Sequence, residues 1–390
     1  MRTPAALILA MGFLVLFVGG GARFGIGLAF KPMVEQLGWT RSDLGLAVGV
    51  YMVVSAAATF AGGRLADRTN PKLLLALGSL IGGIGIGLMA ATSRPWHAVL
   101  FYGLVFALGN GAASMAPVGV MVTRAAPQRA GLANSVAMSG IMVGQLVMVA
   151  ALTLVLAASG WRSVFVWLAA AHAVLLGVLV FALPSERQEP RPAGSAADLG
   201  LAEVARSRAF WLLLGIYAIC GLDDFFVATH VVALAQDKGV PALIAGNLLA
   251  AMGLCGLLGV LLAGALSDRL GAAAVTAITF ALRVGVFALF IASPSPATIA
   301  IMALVFGATF LVTAPMTVLF VRDCFGTRHL GALTGLITMV HQVFGGVGAY
   351  GGALIFDRTG SYDAAFAIML AASALALGLS LAVRPKNVLT

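Results

Sequence analysis

Apolar runs recur twelve times along this 390-residue chain, and no other feature restricts its fold as strongly. A helix needs about 20 apolar residues to cross a bilayer, and only helices or closed barrels satisfy their backbone hydrogen bonds there. We therefore predict an all-α membrane protein with twelve transmembrane helices. The runs, numbered 1 to 12 in chain order, lie at 6–29, 43–63, 73–91, 96–121, 131–157, 163–183, 209–235, 242–265, 272–292, 296–320, 330–355 and 363–383.

Composition and charge agree with a multi-pass protein in a lipid bilayer. The chain is 61% hydrophobic and 9% charged, whereas soluble domains are about 25% charged. With the N-terminus in the cytoplasm, fifteen Lys and Arg fall on the cytoplasmic side, six fall outside and two lie in runs. This asymmetry predicts cytoplasmic termini. It also accounts for the net charge of +9 without a nucleic-acid partner.

A short polar motif occurs twice. The first copy runs from Gly63 to Lys72 and the second from Gly264 to Gly271. Four identities, at Gly63, Leu65, Asp67 and Arg68, recur 201 residues later as Gly264, Leu266, Asp268 and Arg269. Glycines outside the motif keep nearly the same register, since Gly38 pairs with Gly239, Gly131 with Gly331 and Gly160 with Gly360. The chain is therefore predicted to be a duplicated fold.

The repeated Gly-x-Leu-x-Asp-Arg motif, placed in a loop after the second run of each half, resembles the signature loop of the major facilitator superfamily of secondary transporters. The resemblance covers nearly the whole chain. It implies two pseudo-symmetric six-helix halves, at 1–183 and 209–390, joined by a cytoplasmic linker at 184–208. It also implies a conformational latch at Gly63, Asp67, Arg68, Gly264, Asp268 and Arg269. The alternative for these residues is a turn carrying topogenic charge.

Within the superfamily, the stretch Phe24 to Met33 and the pair His341-Gln342 resemble bacterial members near the monocarboxylate and oxalate–formate porters. Those porters usually carry a substrate-binding arginine in helix 8. Here that place is Val260, and run 8 has no charge. If the substrate is a carboxylate, Arg23 must supply the cation.

Ionisable residues inside the runs are candidate functional residues, because a charge in hydrocarbon is costly unless it faces protein or water. The sequence places Arg23 in run 1, Asp223 and Asp224 in run 7, and Arg283 in run 9. Subtracting the repeat offset from Asp224 gives the position of Arg23. These two could face each other across a transport path, Arg23 binding a carboxylate and an aspartate taking a proton. The alternative is an ion pair that only holds the halves together.

Other polar residues complete the predicted substrate site. His230 follows Asp223 by two helical turns, so it could bind substrate or relay a proton, or lie near the outer interface. His341 in run 11 could line the cavity or bond a neighbouring helix. Asn110 in run 4 needs a partner in hydrocarbon, and Thr313 lies within a stripe of threonines in run 10.

Arg283 lies near mid-membrane in a run that the resemblance makes peripheral. We expect it to turn inward against run 7 or 8, as possible support for the substrate site. Pro117 and Pro315 predict kinks in runs 4 and 10.

The sequence has no nucleotide-binding glycine pattern, metal-ligand spacing or nucleophile elbow. We therefore expect no enzyme activity, cofactor or metal, and we interpret the cysteines at 220, 255 and 324 as packing residues.

The first hypothesis is a monomeric, proton-coupled transporter of a small organic anion in the bacterial inner membrane, working by alternating access. The second is a proton-coupled exporter of cationic or amphiphilic compounds that uses Asp223 and Asp224. Loss of anion affinity on Arg23→Gln would separate them. A non-transporting sensor or scaffold is disfavoured, because it would not require buried charges at matched depth.

Overall fold

The computed structural model describes residues 5–125, 130–182, 201–325 and 330–383. Twelve helices in these ranges are long and apolar enough to cross a membrane, as predicted. The first six are α1 (Ala5–Leu37), α2 (Arg41–Arg68), α3 (Pro71–Leu88), α4 (95–125, in several pieces), α5 (Ala130–Ser159) and α6 (Trp161–Ala182).

A short linker helix, Leu201–Arg206, precedes the last six. These are α7 (Arg208–Asp237), α8 (Ala242–Ser267), α9 (Arg269–Ala292), α10 (Pro296–Phe310 and Thr313–Phe325), α11 (Leu330–Thr359) and α12 (Asp363–Ala382). One helical stretch, Ala242–Ala292, contains both α8 and α9, and it is broken at Gly271, where φ is 80°.

The duplicated motif is helical, so its placement in a loop was wrong. α2 continues through Arg68 and turns only at the cap residue Asn70, whose side-chain oxygen accepts from the backbone N–H of Lys72. The second copy stays helical up to Gly271. The physical reason is that the Gly, Asp and Arg residues of the motif do not end a helix that extends into water. The first helix ends before Pro71, and the second is broken at Gly271, where φ is positive.

Two prolines break their helices as predicted. α4 is interrupted at residues 113 and 114, four and three residues before Pro117. α10 is interrupted at residues 311 and 312, in the same relation to Pro315. A proline ring collides with the carbonyl four residues earlier and cannot bond to it. The break in α10 positions a buried cation described below.

The repeat seen in the glycines has a structural basis. Gly38 and Gly239 have φ of 67° and 82°, and Gly160 and Gly360 have φ of 77° and 72°. Each follows the end of a transmembrane helix. Left-handed backbone is cheap only for glycine, so equivalent helices in the two halves end by the same device.

The described residues form two compact units. The first comprises 5–125, 130–182 and 228–253, and the second comprises 201–227, 254–325 and 330–383. The first therefore includes the C-terminal end of α7 and the start of α8. The division of the sequence at 183 and 209 stays a prediction.

Close helix contacts in each unit depend on glycine. In the first unit, a Cβ on Gly140 or Gly144 of α5 would overlap the backbone of α1 at Phe13 or Phe17. In the second, a Cβ on Gly221 of α7 would overlap the carbonyl oxygen of His341 in α11. Small residues let membrane helices approach this closely.

Candidate functional site

A buried cluster of charged side chains lies in the second unit, centred on Arg283 of α9. The Arg283 side chain is fully buried, and its Nη2 lies 2.6 Å from Oδ1 of Asp224 in α7. Its Nη1 lies 4.0 Å from Oδ2 of Asp223, which is also fully buried. The predicted inward turn of Arg283 is therefore toward α7.

The break in α10 supplies further acceptors for this guanidinium. Arg283 Nη2 donates to the carbonyl oxygen of Thr309 at 3.2 Å, and Nε donates to its Oγ1 at 3.3 Å. Carbonyls in the last turn of a helix lack intrahelical partners, so the interruption leaves a free acceptor within α10. The guanidinium carbon also lies 4.4 Å from the ring centroid of Phe306. Arg283 is thus held by charge, hydrogen bonds and a cation–π contact.

Asp224 has two further partners. Its Oδ2 lies 3.0 Å from Nε2 of His341, which donates when that nitrogen carries the hydrogen. The thiol of Cys220, one helical turn earlier, donates to the same oxygen at 3.5 Å. Close approach of α7 and α11 at Gly221 brings the imidazole within reach. His341 is 17% exposed, whereas Asp224 is 1% exposed, so the imidazole is the more accessible of the two side chains.

Asp223 is less completely paired. Ser373 of α12 donates to its Oδ2 at 2.6 Å. Its Oδ1 is buried and has no hydrogen-bond partner among the described residues; the same is true of Oδ1 of Asp224, which instead forms the ion pair with Arg283. With both aspartates ionised and His341 neutral, Asp223, Asp224 and Arg283 sum to a charge of −1. A bare excess charge in this environment is strongly unfavourable.

The threonine stripe of α10 is used within the protein. Thr313 Oγ1 lies 3.4 Å from the Cys220 sulfur, and the Thr313 carbonyl accepts from the hydroxyls of Tyr217 at 2.8 Å and Thr317 at 2.9 Å. Thr313 is 3% exposed. Thr313 therefore contacts Cys220 from within the protein. Its direct contact with substrate stays a prediction.

The same cluster brings together three groups that could ligate a metal. The sulfur of Cys220, a carboxylate oxygen of Asp224 and a ring nitrogen of His341 lie within 4.8 Å of one another. The sequence predicted no metal-ligand spacing, because His341 lies 117 residues after Asp224. It also gives Cys220 a polar role beyond packing.

In the first unit, Arg23 is part-buried in α1. Its Nη2 lies 3.8 Å from the sulfur of Met52, and its carbonyl oxygen accepts from the Tyr102 hydroxyl at 3.2 Å. Asn110 accepts from the Tyr51 hydroxyl at 3.1 Å and donates to the carbonyl of Gly19 at 3.3 Å. The amide thus has partners from two neighbouring helices. Pairing of Arg23 with Asp224 stays a prediction.

A π-helical segment of α4, Val99–Phe106, lies beside Arg23. It carries Tyr102, whose ring lies 4.8 Å from that of Tyr51 and 5.2 Å from that of Phe106. A π-helix changes the register of side chains and is often found at functional sites. Here the π-helix positions the buried Tyr102 so that its hydroxyl donates to the backbone carbonyl of Arg23.

His230 is 2% exposed, and its ring packs edge-on against Phe30 of α1 at 5.2 Å. Two turns later, Asp237 ends α7 between two cations. Its Oδ1 lies 2.7 Å from Lys31 Nζ, and its Oδ2 lies 2.6 Å from an Arg41 nitrogen. The end of α7 is therefore fixed to α1 and α2 within the first unit.

The predicted latch is described only in part. The side chains of Asp67, Arg68 and Asp268 lie outside the described part of the chain, and Arg269 is exposed. A Cβ on Gly63 would meet Ala116 of α4 at 3.2 Å, whereas one on Gly264 would meet nothing within 4 Å. The latch stays a prediction.

Sequence reasoning missed Ser373, the polar role of Cys220, and His172. Cys220 precedes Asp224 by four residues, so helical spacing could have indicated their contact. Ser373 lies 150 residues from Asp223, and no local pattern connects them. His172 is 4% exposed, and its Nδ1 lies 2.9 Å from the Leu168 carbonyl oxygen of its own helix.

Residues 12–228 and 213–389 each match the family model of the Major Facilitator Superfamily. Similar curated proteins include the uncharacterized MFS-type transporter YcxA of Bacillus subtilis, 26% identical over 342 residues, covering 85% of this chain and 83% of the relative. Monocarboxylate transporter 13 of Rattus norvegicus is 24% identical over 344 residues, covering 87% of this chain and 78% of the relative. Multidrug resistance protein MdtH of Proteus mirabilis is 33% identical over 90 residues, covering 23% of this chain and 20% of the relative.

Solved structures share the fold at low identity. A mutant of the nucleoside transporter NupG superposes with a TM-score of 0.80 at 16% identity, covering 97% of this chain and 99% of the other. A bacterial homologue of the human lysosomal transporter Spinster gives 0.77 at 16% identity, covering 98% and 97%. This likeness concerns the fold alone.

Proposed function

The chain belongs to the major facilitator superfamily and is a membrane transporter, and we propose that it carries a small organic anion, a carboxylate, together with protons by alternating access. Transporters of this superfamily are not enzymes, and the proposed role includes no cofactor.

The observation that supports the proposal is the net charge of −1 on the buried cluster of Asp223, Asp224 and Arg283. Asp223 and Asp224 share one guanidinium, and Oδ1 of Asp223 has no hydrogen-bond partner among the described residues. One proton makes the cluster neutral. We assign this proton to Asp223, and we assign its exchange with water to His341, the most exposed member of the cluster. Neutrality lowers the cost of moving these groups between access states.

Arg23 is the proposed anchor for the substrate carboxylate. It is part-buried in α1, and its guanidinium can bind a carboxylate through two parallel hydrogen bonds. Arg283 is less suited to this role, because it is fully buried and already bonded to Asp224 and Thr309. The match to monocarboxylate transporter 13 over most of this chain supports a carboxylate substrate.

The proposed location is a bacterial inner membrane, with both termini in the cytoplasm and the protein acting as a monomer. The excess of Lys and Arg on one side of the predicted topology supports this orientation. Similarity to YcxA of Bacillus subtilis supports a bacterial transporter.

The proposal is tested in liposomes containing the purified protein and an internal pH indicator. Addition of a panel of monocarboxylates and dicarboxylates is expected to acidify the interior with wild type and not with Arg23→Gln. Arg94→Gln, which alters an exposed arginine, is the matched control and should behave as wild type. Acidification that survives Arg23→Gln would overturn the role of Arg23 as the anchor.

Asp223→Asn separates proton movement from anion binding. The asparagine leaves the cluster permanently neutral, so exchange of labelled for unlabelled anion should continue while acidification is lost. Acidification retained in Asp223→Asn would overturn the assignment of the proton to Asp223.

The second candidate is a proton-coupled exporter of cationic or amphiphilic compounds. The short match to MdtH and the presence of two buried carboxylates support it. It predicts alkalinisation with organic cations and none of the carboxylate responses above. Neutralisation of Asp224 by Arg283 argues against this candidate, because it leaves less negative charge for a cationic substrate.

A further inference from the structure

We propose that Cys220, Asp224 and His341 form a binding site for a divalent cation of the zinc class, and that metal bound there stops transport. The binding site itself is independent of the substrate. Only the effect on transport rests on the proposed function.

The distances between the three ligand atoms suit a tetrahedral ion. Zinc binds sulfur at about 2.3 Å and nitrogen or oxygen at about 2.0–2.2 Å, so tetrahedral ligand atoms lie roughly 3.4–3.6 Å apart. The Cys220 sulfur and Asp224 Oδ2 are 3.5 Å apart, and Asp224 Oδ2 and His341 Nε2 are 3.0 Å apart. All three ligand atoms lie within 4.8 Å of one another. Ligation therefore requires these separations to change by at most about 1.4 Å, with water in the fourth position.

Charge also favours the ion. Zinc binds cysteine as the thiolate, so occupation adds +2 from the metal and −1 from Cys220. Added to the −1 of Asp223, Asp224 and Arg283, this gives zero. The metal therefore neutralises the excess charge of the cluster. Metal binding must release the thiol proton.

Arg283 supports the ligands and does not block them. Its Nη2 pairs with Oδ1 of Asp224, which leaves Oδ2 for a metal. Its Nη1 donates to the Cys220 sulfur at 3.6 Å, a contact that stabilises a thiolate. Such outer contacts orient ligands and strengthen metal binding. A thiolate, an imidazole and a carboxylate together select zinc, cobalt or cadmium over magnesium or calcium.

The proposal is tested with untagged protein in detergent, using Co²⁺ as a spectroscopic substitute and Zn²⁺ in calorimetric titrations. Wild type should bind one Co²⁺ with a thiolate-to-metal absorption band, and Mg²⁺ should not compete. Cys220→Ser should lose that band and lower zinc affinity at least tenfold, and His341→Gln should lower it similarly. Cys324→Ser, which changes another buried cysteine of the second unit, is the control and should bind as wild type.

Two results would overturn the site: equal Co²⁺ spectra in wild type and Cys220→Ser, or zinc binding that releases no proton when titrated in buffers of different ionisation enthalpy. Melting curves without metal establish that each variant is folded, and the metal-dependent rise in melting temperature should be absent in Cys220→Ser.

Transport is then measured separately. Zinc should inhibit wild type and Cys324→Ser, and it should spare Cys220→Ser at the same concentration. Metal binding without inhibition would overturn the effect on transport and leave the site standing. Failure of carboxylate transport in the absence of metal would instead count against the proposed function.

Discussion

Arg283→Gln tests whether the buried cluster is held together by its shared cation. The substitution leaves Asp223 and Asp224 buried side by side in α7 without the guanidinium that contacts both. The formal charge of the cluster changes from −1 to −2. Glutamine keeps a polar amide but is shorter than arginine, so the substitution removes the charge together with the contacts to Asp224 and Thr309.

The expected cost follows from the distances. Unit charges 4 Å apart interact by about 4 kcal/mol at an effective dielectric constant of 20. The Arg283 contacts lie at 2.6 Å and 4.0 Å, with the carboxylates nearly or fully buried. Removing one partner of such a pair typically costs about 3–5 kcal/mol, since an uncompensated charge stays buried. At roughly 2–4 °C for each kcal/mol, the melting temperature should fall by about 6–20 °C.

The assay is thermal unfolding of purified protein in detergent, followed by intrinsic tryptophan fluorescence. Arg94→Gln, which removes an exposed arginine, is the control and should change the melting temperature by less than about 2 °C. The double variant Arg283→Gln with Asp224→Asn restores the charge of −1 and should recover at least half of the loss. An unchanged melting temperature in Arg283→Gln, or a double variant no more stable than the single one, would refute the electrostatic argument.

Three further predictions follow from other contacts. Asp237→Asn weakens the contacts with Lys31 and Arg41, so a cysteine probe placed on the end of α7 should become more reactive, and unchanged labelling would contradict this. Gly221→Ala should abolish insertion or folding in expression assays, because its Cβ overlaps the α11 backbone, whereas Gly378→Ala should be tolerated, since its Cβ meets nothing within 4 Å. Tyr102→Phe should destabilise the protein by about 1 kcal/mol in denaturant titrations, and a neutral result would show that its hydroxyl bond adds no stability.

Several features of the fold were accessible from the sequence because the bilayer imposes them. The length of the apolar runs predicted twelve helices, and the structure has twelve of suitable length among its described residues. The 201-residue offset predicted duplication, and its paired glycines end equivalent helices with positive φ. Pro117 and Pro315 predicted the breaks, because proline affects the backbone four residues earlier in any helix.

The ends of helices were less predictable. The motif at Gly63 was assigned to a loop because its residues are polar, yet α2 continues through it to Arg68. Polarity marks where a helix leaves hydrocarbon, and only capping residues or prolines mark where it stops. In many soluble helices the polar residues and the end of the helix fall at the same place, whereas in a long membrane helix the helix can continue past its polar residues.

The sequence by itself determined that Asp223, Asp224, Arg283 and His341 are unusual, because charge and polarity are costly inside apolar runs. It could not determine which of them meet. The helices are apolar on all sides, so periodicity does not reveal which faces pack together. Only the tertiary structure brought Arg283 to Asp224 and Ser373 to Asp223, because those contacts depend on how closely the helices approach and where α10 breaks.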